Sequence, residues 1–143
     1  MINRELIESK INLITEDLET LKQFENKSIE DMAKTDSLML YAVERLLERV
    51  IGRAIDINQH IIVESDKITE KFPYTYKETF IALFKINVLE QGFAEEISKS
   101  ATLRNYLVHE YDNLDKNILQ KSIGLTITEY AKYLDQVKKY ISN

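Results

Sequence analysis

Residues 37–62 read SLMLYAVERLLERVIGRAIDINQHII, and this stretch decides the fold. Met39, Val43, Leu46, Leu47, Val50, Ala54, Ile57 and Ile61 recur at short helical intervals, with charged residues between them. Such spacing lays one apolar stripe along a helix of about 3.6 residues per turn. Asp36, just ahead of the stretch, is placed to cap the helix. Gly52 lies inside it and costs about 1 kcal/mol relative to alanine, which a helix of this length tolerates.

Working outward, a first helix is expected over about residues 2–25, with Ile2, Leu6, Leu13, Leu18, Leu21 and Phe24 on one stripe. ENKSIEDMAKTDS (25–37) reads as a polar connector. VESDKITEKFPYT (63–75) is the main break, with Pro73 as its firmest stop. Thr75 and Glu78 then form a T-x-x-E capping box ahead of the apolar helix TFIALFKINVL (79–89). Gly92 is expected to separate that helix from another over about Phe93–Tyr111. DNLDKN (112–117) reads as a turn, residues 117–122 as a short helix, and Thr126–Ile141 as the last helix.

The whole chain supports the same class. With 143 residues it suits one domain spanning 1–143, long enough to bury a core without a staple. Three glycines and one proline, among abundant Leu, Ile, Glu and Lys, point to an all-α bundle of four or five helices. The absence of cysteine excludes thiolate catalysis and disulfide frameworks and fits a reducing cytoplasm. Two histidines, His60 and His109, are too few for a multi-histidine metal centre within one chain, so neither metal nor cofactor is expected. No apolar run suits a signal peptide or a membrane span, which predicts a soluble protein. A net charge of −5 argues against broad binding to nucleic acid, DNA included, and leaves room only for a local basic cleft.

One segment resists a purely structural reading. In LRNYLVHEY (103–111), placed on a helical wheel, Phe93, Ile97, Ala101, Leu107, Val108 and Tyr111 fall within about 60° of Arg104. A guanidinium is therefore expected near the centre of an apolar sector. Burying it unpaired costs several kcal/mol, so it needs either a salt-bridge partner or a cleft. His109 lies about 140° away, on a polar line with Ser98, Thr102 and Asn105. One straight helix cannot focus Arg104 and His109 on the same atom, but two copies crossing at a two-fold axis can. Two histidines and two arginines in a shared groove would suit RNA cleavage. An imidazole serves as base for the 2′-hydroxyl or acid for the leaving oxygen, and guanidinium forks steady the phosphorane. Asn105 is placed to orient the His109 ring. Arg53, Asp56 and His60 share one polar flank of the long helix. They are either a second lining to that groove or, more simply for His60, an intrahelical pair. The tyrosines at 74, 76, 106, 130, 133 and 140 read most simply as core or boundary residues.

RNYLVHEY matches the R-x-x-x-x-H-x-Y signature of HEPN-domain proteins and resembles the HepT-like toxins in particular. The resemblance extends through RAIDINQHII and PYTYKETF and so covers most of the chain. It implies a homodimeric, metal-independent endoribonuclease, the toxin half of a HepT/MntA toxin–antitoxin pair, acting on mRNA or tRNA. It also implies catalytic roles for Arg104 and His109 and a supporting role for Asn105. Tyr111 would be the tyrosine that an MntA-like nucleotidyltransferase antitoxin modifies with AMP. Phosphate placed there, on the stripe of Arg104, would block RNA. The other reading of the resemblance is a non-catalytic HEPN module that binds a nucleotide or a nucleotidyltransferase.

Overall fold

The computed structural model describes residues 1–66, 74–109 and 115–142. Among these lie seven helices: α1 (Arg4–Lys22), α2 (Ile29–Thr35), α3 (Ser37–Glu64), α4 (Tyr76–Lys85), α5 (Gln91–Ser98), α6 (Ser100–His109) and α7 (Lys116–Ile141). No strand occurs among the described residues, as the composition requires. The helix count exceeds the four or five expected because the connector over 25–37 holds α2 and the segment expected as one helix over 93–111 is split into α5 and α6.

α3 is the axis of the molecule. It packs against α1, α2, α4 and α6, while α7 packs against α1, α2 and α3. Asp36 caps it as expected, its Oδ1 accepting the Met39 N–H at 3.1 Å. Ile51, Ile57, Phe80, Leu83, Ile7, Ile14 and Tyr133 meet in the larger core cluster, and Val43, Leu47, Leu21, Ile29 and Leu107 in a second. Each such fully buried aliphatic side chain contributes roughly 1.5–3 kcal/mol.

The connector over 25–37 is not all loop. Ser28 Oγ accepts the Asp31 N–H at 3.2 Å and starts α2, which buries Ile29 and Met32. Gln120 of α7 clamps its first residues, accepting the Ile29 N–H at 2.7 Å and donating to the Lys27 carbonyl at 3.0 Å. The capping box of α4 is present in full: Thr75 Oγ1 accepts from Glu78 N at 3.1 Å, and Glu78 Oε1 accepts from Thr75 N at 2.9 Å. α4 ends at Lys85, and the chain leaves it not at Gly92 but through Asn87, whose φ of 65° is left-handed. Asn87 N bonds Phe84 O at 3.0 Å and Val88 N bonds Leu83 O at 2.8 Å, a Schellman cap with buried Leu83 and Val88 in its hydrophobic positions. Gly92 is instead the second residue of α5.

The helix expected over 93–111 is two helices meeting at Lys99. Ser98 Oγ donates to Glu95 O and Ser100 Oγ to Ile97 O, both at 2.6 Å. Lys99 N and Thr102 N make tighter i→i−3 bonds, to Glu96 O at 3.2 Å and Lys99 O at 3.1 Å. Serine hydroxyls that compete for helix carbonyls favour such a bend. Conversely, α7 runs unbroken through Gly124, because Leu119, Ile123, Thr126, Tyr130, Tyr133, Val137 and Ile141 keep one buried stripe across it. Pro73, Tyr111 and the first half of the turn expected over 112–117 lie outside the described residues; its second half is instead the Asp115 cap and the start of α7.

Candidate functional site

α6 is short, and three anchors place it. Leu107 is buried in the second core cluster, Ala101 in the first. At its start, the Ser100 and Tyr130 hydroxyls lie 2.7 Å apart, tying α6 to α7. Burial pushes the Tyr130 phenol well above its ordinary range, so that hydroxyl stays protonated and keeps its hydrogen bond at every ordinary pH.

Held this way, α6 turns Arg104 inward, between α3 and the start of α4. The side chain is half-buried, and its Nε is enclosed with no hydrogen-bond partner. Among the described residues no carboxylate pairs with it. Its neighbours are Gly52, where a Cβ would stand 3.5 Å from Nε, and Tyr76, whose ring centroid is 5.0 Å from Cζ. The expected apolar sector is therefore present locally, with Ala101 and Leu107 buried beside Arg104. The bend at Lys99 removes Phe93 and Ile97 from that straight wheel.

The backbone of Tyr76 is fixed from beneath. Its carbonyl accepts from Thr79 Oγ1 at 2.6 Å, and Thr79 Oγ1 accepts from Asn58 Nδ2 at 3.1 Å. Asn58 Oδ1 accepts from the Tyr133 hydroxyl at 2.6 Å. Asn58, Thr79 and Tyr133 are all fully buried. Buried polar groups that satisfy one another in this way resist displacement.

His109 is exposed in the last turn of α6, and Asn105, four residues earlier, is exposed beside it. Thr102 and Tyr106 share that outward side. Arg104 and His109 thus address different surroundings within one chain. Next to the outward side, a groove of about 410 Å³ runs between α5, α6 and α7, lined in part by Thr102, Leu103, Tyr106, Leu125 and Thr126. Tyr106, Ile118 and Leu125 leave large apolar surface uncovered there.

Arg53, Asp56 and His60 are turned to α1, not gathered with Arg104. Arg53 Nη1 donates to Asp17 Oδ2 at 2.7 Å, Asp56 pairs with Lys10 at 3.4 Å, and His60 Nε2 accepts the Asn3 N–H at 3.0 Å. The intrahelical pairing of His60 with Asp56 gives way to these cross-helix partners. Among the described residues no three His, Cys, Asp or Glu side chains gather as a metal site would require, and no helix there is long and apolar enough to cross a membrane. Sequence reasoning missed Gly52 and Tyr76 as parts of the Arg104 surroundings. A glycine inside a strongly helical run was the available signal for the first. Nothing local signals the second.

Residues 14–137 match the family described as Ribonuclease HepT-like. The chain is similar to a tRNA nuclease HepT of Aphanizomenon flos-aquae, 38% identical over 136 residues that cover 95% of this chain and 90% of that one. It is also similar to an mRNA nuclease HepT of Shewanella oneidensis, 25% identical over 109 residues covering 76% of each. The fold resembles that of a solved tri-AMPylated Shewanella oneidensis HEPN toxin in complex with MNT antitoxin. That match has a TM-score of 0.81 at 23% identity and covers 96% of this chain and 99% of that one.

Proposed function

Because this chain belongs to the ribonuclease HepT-like family and has its all-α HEPN architecture, we propose that residues 1–143 form a single domain acting as an endoribonuclease toxin. The observation that carries this reading is Arg104: a half-buried side chain with an enclosed, unbonded Nε, no carboxylate partner among the described residues, and the Tyr76 ring beside it. A structural arginine with an enclosed Nε would ordinarily have that donor paired, since an unmet buried donor is costly. This one is held ready for an anion.

The second copy supplies what one chain lacks. Arg104 and His109 lie about 140° apart on α6, so one chain alone does not bring both to one phosphate, whereas two copies meeting along α6 do. Across that seam one His109 takes the proton of a ribose 2′-hydroxyl, whose oxygen then attacks the adjacent phosphorus. The bond from phosphorus to the 5′-oxygen breaks, and the other His109, as imidazolium, gives its proton to the departing oxygen. Arg104 binds the non-bridging oxygens as negative charge accumulates on them. Asn105 steadies the imidazole. No metal enters this scheme. The similarity to a tRNA nuclease favours tRNA as substrate, and the similarity to an AMPylated toxin bound to MNT antitoxin favours control by a nucleotidyltransferase that modifies Tyr111.

Purified protein incubated with tRNA in chelator is expected to release fragments ending in cyclic phosphate. His109→Ala and Arg104→Ala should each lower the rate by about a hundredfold or more while the oligomeric state persists. Cleavage that survives both substitutions overturns the reading. Co-expression with a nucleotidyltransferase neighbour should add AMP mass to Tyr111, and an unmodified tyrosine removes that part of it.

A further inference from the structure

We propose that Tyr76 is a positioning residue for Arg104, its ring setting the direction in which the guanidinium meets phosphate. The proposal rests on the ribonuclease reading above. Three observations converge on it. The Arg104 Cζ lies 5.0 Å from the Tyr76 ring centroid, within the range of a cation–π contact. Nε is enclosed without an acceptor, against the α3 backbone where Gly52 leaves room. And Tyr76 is 40% exposed, so its ring is poorly used as core but well used as a wall.

The chemistry favours a ring over an acid at this position. A carboxylate would occupy guanidinium N–H groups and cancel the charge that a phosphorane needs. A ring face stabilises the cation and leaves its donors free. With Nε turned into the protein, the terminal nitrogens are the pair presented to the two phosphate oxygens, which is the fork geometry that arginine offers. The anchoring of Tyr76 suits a wall of this kind, since the Thr79 hydroxyl holds its carbonyl at 2.6 Å and buried Asn58 holds Thr79. The backbone that carries the wall is therefore tied to the core, while the ring stands part-exposed beside Arg104.

The test is tRNA cleavage by wild type, Tyr76→Leu and Tyr76→Phe, with thermal unfolding of each as a control on folding. Tyr76→Leu is expected to lower kcat about tenfold with little change in KM, because the contact matters most when charge builds on phosphate. Tyr76→Phe, which keeps the ring face, should recover most of that loss. In an Arg104→Ala background Tyr76→Leu should have no further effect, since the two act as a unit. A folded Tyr76→Leu protein with wild-type kcat, or equal loss in Tyr76→Phe and Tyr76→Leu, overturns this proposal alone. Wild-type protein that leaves tRNA and mRNA whole overturns both readings.

Discussion

Arg53 and Asp17 are joined by a 2.7 Å ion-paired hydrogen bond that ties α3 to α1. Asp17 is buried and also lies 3.3 Å from the Arg49 Nε, so one carboxylate balances two guanidinium groups. Asp17→Asn leaves both arginines facing a neutral amide. The expected loss is about 1–3 kcal/mol of stability, below that of a fully enclosed pair because the arginines reach solvent. Urea unfolding measures it, and an unchanged midpoint would show the pair to be idle.

Gly52→Ala should raise stability by up to about 1 kcal/mol. The added Cβ would meet Arg104 Nε at 3.5 Å, an ordinary contact, while helix propensity favours alanine. Gly52→Leu brings more atoms than that space admits and should lower the melting temperature. Calorimetry on the two variants decides, and a gain in the leucine protein would refute the close approach.

Glu129 borders the groove beside α6, where burial first and Glu96 second push its carboxyl above the usual 4.5. Ionising it therefore opposes folding: stability is fullest below the unfolded value and is lost as pH rises through the folded one. Glu129→Gln should be more stable than wild type at pH 7, by less than about 1 kcal/mol given its partial exposure, with the advantage vanishing below pH ~4. Paired melting curves across pH test this.

Glu78 shows the opposite sign. The Thr75 N–H holds its carboxylate below the ordinary value, so its contribution is present above that value and fades as pH falls through the lowered one. Glu78→Ala should destabilise the protein at pH 7, and the deficit should shrink toward acid. Thr75→Ala, which removes the other half of the box, should cost about 1 kcal/mol. A pH-independent deficit in Glu78→Ala would contradict the assignment.

Features that depend on neighbours a few residues away were legible in the sequence. The Asp36 cap, the Thr75–Glu78 box, the long stripe of α3 and the inward placement of Arg104 all follow from helical spacing. What escaped depends on distant partners. α2 forms within a polar stretch because Ile29 and Met32 find a core cluster shared with α3 and α7. Arg53, Asp56 and His60 look like a polar flank locally, but each meets a residue of the first helix or its cap. Tyr76 looked like a boundary tyrosine because the arginine it braces is 28 positions further along the chain.

The hydroxyl contact between Ser100 and Tyr130 works as an index mark for α6. Arg104 follows it by four residues, and each residue turns a helix by about 100°. Deleting or inserting a single residue in that interval would bring Asn105 or Leu103 opposite Gly52 and send the guanidinium to another side. The interval from Ser100 to Arg104 is thus a fixed ruler, and changes of length are admissible only outside it.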